Sequence, residues 1–295
     1  MMQRDRGWQR EQIRKLRLTA RRLIHTFGEG SFRTLFYGRG IEFATLREYV
    51  PGDDIRQIEW NTTARRGTPF VKTFVEERDL SILLAVDVSS SMDIKREAML
   101  QLASLLTMLA AMHDDRIGAM GFTNEVEFYV PPQKNPTQPD RILHLLLSQR
   151  PQKRTTSIAN ALGFLQRVLK KRSILFIISD FLDTQFESRI LQLSQKHEIV
   201  GIFLYDPSEA GTLSPALIET ADPETGRHSL VDGYDGKTLR SQSTFFQKQK
   251  QMVARTFGRA RSDFLMFPIA EDPGLRMIDF LRRRQTARAP IQLVT

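Results

Sequence analysis

The chain has 295 residues, of which 41% are hydrophobic and 26% charged, proportions typical of a globular protein that buries one or two cores. The sequence contains no cysteine, which excludes disulfides, thiolate metal sites and cysteine nucleophiles. No apolar run approaches the roughly 20 residues that span a bilayer, and basic residues interrupt any N-terminal signal-peptide core. We therefore expect a cytoplasmic protein.

The net charge of +9 is concentrated at the two ends of the chain. Residues 1–27 carry eight Arg or Lys against two acids, a charge of +6, and residues 276–295 carry five Arg against one Asp, a charge of +4. The remaining body is close to neutral, at −1. A pI near 10 is typical of proteins that bind nucleic acid. Basic ends on a near-neutral body fit an acidic protein surface or anionic lipid equally well.

The first 79 residues hold two predicted units. Within residues 1–27, apolar side chains recur at helical spacing with arginines on the other faces, which predicts a basic amphipathic helix. That helix lies either on its own domain, the alternative we favour, or on a membrane surface. Residues 28–79 combine a glycine-rich loop, a Pro-Gly turn and an alternating strand at 70–76. We predict a smaller β-rich subdomain there.

From residue 80 to the end of the chain, apolar strands alternate with helices. Runs such as 80–86 and 174–179 are almost wholly apolar, the pattern of strands buried on both faces of a parallel sheet. A turn-rich segment near 211–233 interrupts the alternation and predicts an inserted surface hairpin. The fold class expected for 80–295 is therefore α/β, with a doubly wound, mostly parallel sheet.

Two of the predicted strands run directly into an aspartate, Asp87 and Asp180. Ligands bind beyond the carboxyl ends of strands in an open parallel sheet, so both carboxylates are expected at one edge. Ser89 and Ser91 follow Asp87 at intervals of two residues, which aims all three side chains at one point. These are hard oxygen donors of the kind that bind Mg²⁺ or Mn²⁺.

Asp87-x-Ser89-x-Ser91 resembles the first element of the metal-ion-dependent adhesion site of von Willebrand factor A domains. Thr156, in a loop before a predicted helix, is similar to the second element of that site, and Asp180, after a later strand, is similar to the third. The resemblance spans residues 80–205. It implies a von Willebrand factor A-like fold and a site for Mg²⁺, or Mn²⁺, made by Asp87, Ser89, Ser91, Thr156 and Asp180.

The stretch before the sheet resembles a bacterial family catalogued as domain of unknown function 58. The similar segments are Gly38–Phe43, Leu46–Arg56, Ile58–Trp60 and Ala64–Arg65. Members of that family are commonly encoded beside MoxR-type AAA+ ATPases. The resemblance thus implies a non-enzymatic adaptor or co-chaperone whose partner is such an ATPase or its client. We expect that partner to offer a carboxylate to the metal.

The same signature also has a physical interpretation. Arg47, Arg56 and Arg65 are interleaved with acidic residues, which favours buried ion pairs that dock the subdomain on the sheet. Trp60 is predicted to be a packing anchor rather than a stacking platform.

Two other classes of function remain open. One is a metal-dependent phosphoester hydrolase that uses the same site, although no general base is evident in the sequence near Asp87. The other is a binder of nucleic acid or of an anionic surface through the basic termini, which the near-neutral body disfavours.

Overall fold

The apolar run predicted as the first buried strand forms the centre of the molecule. The computed structural model describes residues 2–27, 41–76, 81–149, 155–210, 217–221, 228–232 and 236–287. The predicted loop at 28–40 and the turn at 222–226 lie outside these ranges. The strands are β1 (Ile41–Glu48), β2 (Phe70–Glu76), β3 (Ser81–Asp87), β4 (Arg116–Phe122), β5 (Val126–Gln133), β6 (Ile174–Ser179), β7 (Glu198–Tyr205), β8 (Leu217–Ala221), β9 (His228–Asp232) and β10 (Asp263–Pro268). The helices are α1 (Met2–Phe27), α2 (Trp60–Arg66), α3 (Arg96–Met112), α4 (Gln138–Ser148), α5 (Ile158–Val168), α6 (Glu187–Ser194), α7 (Gly236–Arg259) and α8 (Pro273–Ala287).

Six strands form the central sheet in the order β10-β7-β6-β3-β4-β5. Every neighbouring pair is parallel except β4 with β5, which follow each other in the chain and pair antiparallel. All residues of β3 and β6 are buried, which is why their sequences are apolar between polar terminal residues rather than alternating. The expected doubly wound, mostly parallel α/β fold is confirmed.

Helices cover both faces of this sheet and create two cores. One core contains buried side chains of α1, α3, α4 and α8, and the other contains those of α5, α6 and α7. Close approach of a helix to the sheet explains one glycine: a Cβ on Gly201 in β7 would collide with the ring of Phe257 in α7. Packing on both faces leaves the strand ends as the accessible part of the sheet.

Helix α1 belongs to the first of these cores. Ala20 and Ile24 are fully buried in it, and Arg17 pairs with Asp140 of α4 at 2.8 Å. The arginines on the outer side of α1 line a groove of about 400 Å³ between α1 and α4. The helix therefore lies on its own domain, with its basic face outward.

The segment before the sheet contains two antiparallel strands, β1 and β2, joined through a 3₁₀ turn and the short helix α2. The strand predicted at 70–76 is confirmed, whereas β1 and α2 had not been predicted. Helix α2 is terminated by the next residue, Gly67, whose φ of 74° is the left-handed conformation that glycine adopts freely.

The prediction for Trp60 was wrong. Its side chain is 68% exposed and therefore anchors no core. The ion pair between Arg47 and Asp53, with N–O distances of 2.6 and 2.7 Å, forms at the surface within the subdomain rather than as a buried dock on the sheet. Charged side chains pair locally here because they avoid desolvation by staying in water.

Among the described residues, no helix is both long enough and apolar enough to cross a membrane.

Candidate metal centre

The candidate site lies where two adjacent strands end. Asp87 is the last residue of β3, and Asp180 directly follows β6. These strands pair in parallel, with Val86 opposite Ile178, so the two aspartates reach the same edge of the sheet. This is the placement predicted from the strand pattern.

Asp87 is completely buried, and both of its carboxylate oxygens accept hydrogen bonds. The Ser179 hydroxyl donates to Oδ2 at 2.7 Å, and the backbone N–H of Ser89 donates to Oδ1 at 3.0 Å. Burial raises the pKa of Asp87 to about 7, and the nearby charge of Asp180 adds to this effect, while the bonds from Ser89 and Ser179 lower it in part. Near neutral pH Asp87 is therefore much more readily protonated than an ordinary aspartate.

Two serine hydroxyls lie beside Asp87. Ser89 Oγ and Ser91 Oγ are 3.1 Å apart and both side chains are buried. The 3₁₀ turn Ser90–Met92 brings them together, and α3 begins only at Arg96. The serine pair thus adds two neutral oxygen donors to the Asp87 carboxylate.

Thr156 reaches the same place from a different loop, with Oγ1 3.4 Å from Asp87 Oδ1. Its loop is fixed on two sides. The Ser157 N–H donates to the Thr123 carbonyl at 3.1 Å, and the Ile158 N–H donates to Asp183 Oδ2 at 2.8 Å. Asp183 thereby caps α5 and ties the Thr156 loop to the loop after β6.

Asp180 sits in a strained turn. Phe181, which follows it, has a φ of 51°, a left-handed conformation that is uncommon for a bulky side chain. Phe181 is fully buried against Phe186, Phe203 and Phe257, so packing holds the turn. The Leu182 N–H then donates to Asp180 Oδ1 at 3.4 Å.

A lysine that the sequence analysis did not single out completes the site. Lys95 Nζ lies 2.9 Å from Asp180 Oδ2 and 2.8 Å from Glu209 Oε1. Burial acts to lower the pKa of Lys95, but the charges of Asp180 and Glu209 outweigh it and raise the pKa above its ordinary value. Lys95 is therefore a buried ammonium ion within the predicted metal site.

A signal for Glu209 was present in the sequence. It follows β7, the next strand in the sheet after β6, and so belongs to the same edge. No comparable signal marked Lys95, because nothing about a lysine before a helix indicates an ion pair with residues 85 and 114 positions away.

The structure therefore brings all five predicted site residues together. They offer two carboxylates and three hydroxyls, hard oxygen donors that fit Mg²⁺ or Mn²⁺. In the described part of the chain, no three His, Cys, Asp or Glu side chains are grouped as a metal site. Hydroxyls and water would have to supply most of the ligands of a bound ion.

Large apolar side chains are exposed around this edge. Ile94, three residues after Ser91, is 77% exposed, and Leu182, two residues after Asp180, is 40% exposed. Single exposed apolar side chains are ordinary on protein surfaces, so these two matter only through their position beside the site.

Comparison with known proteins places the chain in a family. Uncharacterised proteins of Mycobacterium tuberculosis and Mycobacterium bovis are 29% identical to it over 223 residues, which cover 72% of this chain and 70% of theirs. Two of the solved structures to which the chain is similar have TM-scores below 0.5. The conserved hypothetical protein BatB from Bacteroides thetaiotaomicron has a TM-score of 0.48 at 13% identity, covering 70% of this chain and 99% of BatB. Proximal thread matrix protein 1 from mussel byssus, with a zinc-occupied MIDAS motif, has a TM-score of 0.36 at 11% identity, covering 59% of this chain and 48% of its own.

The family model described as "Protein of unknown function DUF58" matches residues 45–252, well over half of the chain. That match takes in most of the signature residues that first indicated the family. The protein belongs to the DUF58 family.

Proposed function

We propose that the protein is a non-enzymatic, metal-dependent protein-interaction module of the von Willebrand factor A type. The adhesion site consists of Asp87, Ser89, Ser91, Thr156 and Asp180, and its ion is Mg²⁺ or Mn²⁺. The observation that supports this most strongly is the meeting of Thr156 Oγ1 with the buried Asp87 carboxylate at 3.4 Å, from a loop 69 residues away. Local sequence alone does not produce such a convergence.

The charge balance of the site favours a carboxylate as the partner's contribution. A bound Mg²⁺ ion would supply a positive charge and a coordination position open to an incoming ligand. The chain itself provides two carboxylates, and Lys95 already neutralises much of the charge of Asp180. A Glu or Asp of the partner would supply the missing negative charge, so metal and partner should strengthen each other's binding equally.

The exposed apolar residues at the edge define a second requirement on the partner. Ile94 and Leu182 project into solvent from the two loops that carry Ser91 and Asp180. A partner segment with an apolar side chain beside its acidic residue would bury them while its carboxylate reaches the site. We propose that this segment belongs to a MoxR-type AAA+ ATPase or to its client, as the family resemblance implies.

The contacts of the site argue against hydrolysis. A general base needs a carboxylate free to take a proton from water. Asp87 is engaged on both oxygens by Ser179 and Ser89, and Glu209 is bound to the Lys95 ammonium. Both carboxylates are therefore engaged in contacts within the protein, which favours binding over turnover.

Calorimetric titration of the MoxR-type ATPase into this protein tests the proposal. We expect binding with Mg²⁺ and at least about tenfold weaker binding in EDTA. Ser89→Ala and Thr156→Ala should lower the affinity while the circular dichroism spectrum stays unchanged. Ser194→Ala is the matched control. It removes a hydroxyl at the C-terminal end of α6, away from the site, that donates to the Leu191 carbonyl of the same helix. Equal affinity in Mg²⁺ and EDTA would overturn the proposal.

A further inference from the structure

The Lys95 ammonium occupies a position that a site of oxygen donors for Mg²⁺ does not require. Its Nζ is 2.9 Å from Asp180 Oδ2, and both side chains are almost completely buried, with exposures of 3% and 2%. Burying two charges is favourable only when they are paired closely. In the described structure the Asp180 end of the site therefore already holds a cation, supplied by the chain itself.

Glu209 differs from Asp180 in its access to solvent. It accepts from the same ammonium at 2.8 Å, but its own side chain is 42% exposed. It belongs to the 3₁₀ turn Pro207–Ala210 after β7, outside the strand ends that carry the two aspartates. Lys95 thus bridges a buried carboxylate that belongs to the site and a half-exposed one at its margin.

We infer that Lys95 is a tethered cation that competes with the metal for Asp180, and that Glu209 holds the ammonium when the metal takes its place. This inference rests on the proposed function, since it concerns the same metal. Two cations cannot share Asp180 in a poorly hydrated pocket without strong repulsion. The lysine need only give up one of its two partners, because its bond to Glu209 already exists in the metal-free protein.

This arrangement sets the metal affinity of the site. In the metal-free protein Lys95 neutralises Asp180. An ion can bind Asp180 only if it displaces Lys95, and the free energy of that displacement weakens metal binding. The site is therefore expected to be weak for free Mg²⁺ and to fill when a partner carboxylate adds its charge. Lys95 and Glu209 act here as positioning residues, not as metal ligands.

Mn²⁺ binding, followed by electron paramagnetic resonance of the free ion, tests the inference with four proteins: wild type, Lys95→Met, Glu209→Gln and the double variant. Lys95→Met should tighten Mn²⁺ by about tenfold or more, since it removes the competing charge. Glu209→Gln should weaken Mn²⁺ by about two- to fivefold, since the displaced ammonium loses its second partner. In the Lys95→Met background that effect should largely vanish, because no ammonium remains to be held.

Lys134→Met is the control, since it removes a lysine that pairs with Asp114 at the opposite edge of the sheet, and it should leave Mn²⁺ affinity unchanged. Equal affinity of wild type and Lys95→Met would overturn the inference. An equal effect of Glu209→Gln in both backgrounds would overturn the role of Glu209. Failure of all four proteins to bind Mn²⁺ would instead overturn the proposed function itself.

A measurement on the wild-type protein covers the case in which Lys95→Met does not fold. The Lys95 Nζ resonance, assigned by its absence in Lys95→Arg, should shift as Mg²⁺ is added, because the ammonium leaves Asp180. A resonance that stays fixed while Mg²⁺ binds would show that the lysine does not move.

Discussion

Replacing Asp87 with asparagine should stabilise the metal-free protein at alkaline pH. Asp87 is completely buried, and the bonds from Ser179 and Ser89 do not fully offset its desolvation and the charge of Asp180. Asparagine has nearly the same shape, its oxygen can accept from the Ser89 N–H, and its amide can donate to Ser179 Oγ, since a hydroxyl also accepts. The substitution therefore removes the buried charge and leaves the packing intact.

The pKa of Asp87 gives the size and the pH range of this effect. An ordinary value of 3.8 is raised to about 7 in the folded protein, and each factor of ten in proton affinity corresponds to about 1.4 kcal/mol. Between about pH 4 and pH 7 the folded state binds the proton more tightly than the unfolded state, so stability falls as pH rises through that window. Above it, ionised Asp87 destabilises the fold by up to about 4 kcal/mol. Asp87→Asn should recover about 2 to 4 kcal/mol at pH 8 and almost nothing near pH 4.

Urea unfolding in EDTA at pH 4.5 and pH 8 measures this difference. Asp93→Asn, a substitution of an exposed aspartate in the same loop, is the control and should change stability little at either pH. Adding Mg²⁺ should stabilise wild type and leave Asp87→Asn unaffected, because ligand binding stabilises only a protein that retains its site. Two results would show that burial of the Asp87 charge does not destabilise the fold. One is that Asp87→Asn is no more stable than wild type at pH 8, and the other is that it gains as much free energy of unfolding at pH 4.5 as at pH 8.

Four further outcomes are expected. Thr156→Val should weaken Mn²⁺ binding about tenfold with no change in thermal unfolding, since its hydroxyl makes only one long bond in the apo site. Ile94→Asp should weaken the ATPase complex without changing Mn²⁺ affinity, and loss of both would assign Ile94 to the metal site instead. Arg14→Glu with Arg21→Glu should reduce binding to an acidic partner or to anionic vesicles at low salt, an effect that fades as the screening length falls to ~8 Å at physiological ionic strength. Assays of phosphatase and nuclease activity with Mg²⁺ or Mn²⁺ should show no turnover, and activity abolished by Asp87→Ala would contradict the non-enzymatic proposal.

The buried strands and the five site residues were predictable because each depends on local sequence and on sheet topology. A strand covered by helices on both faces is expected to be apolar along its middle, as in β3 and β6. A polar side chain that ends such a strand must then lie at the carboxyl edge. Asp87 and Asp180 followed from these two facts, and the adhesion-site resemblance added Thr156.

The β-rich subdomain was predicted, but its helix α2, the exposure of Trp60 and the ion pair of Lys95 were not. Helix α2 has only seven residues, fewer than two full helical turns, so its sequence shows no clear periodicity. Trp60 has a large aromatic side chain of the kind that often packs in a core. Whether it is buried depends on which other segments pack against it in the fold. Lys95, Asp180 and Glu209 come from three separate loops, and no spacing rule connects them.

The metal-free site neutralises its two aspartates by different means, and this has a consequence for how it fills. Asp180 is paired with an ammonium ion from the chain, whereas Asp87 has no cation partner among the described contacts, and its burial raises its pKa to about 7, which favours protonation. A divalent ion must displace both the lysine and the proton. Metal uptake near neutral pH should therefore release protons, which calorimetry in buffers of different ionisation enthalpy would detect. Because both displacements oppose the ion, the free protein should bind metal weakly, and a partner's carboxylate should tighten that binding.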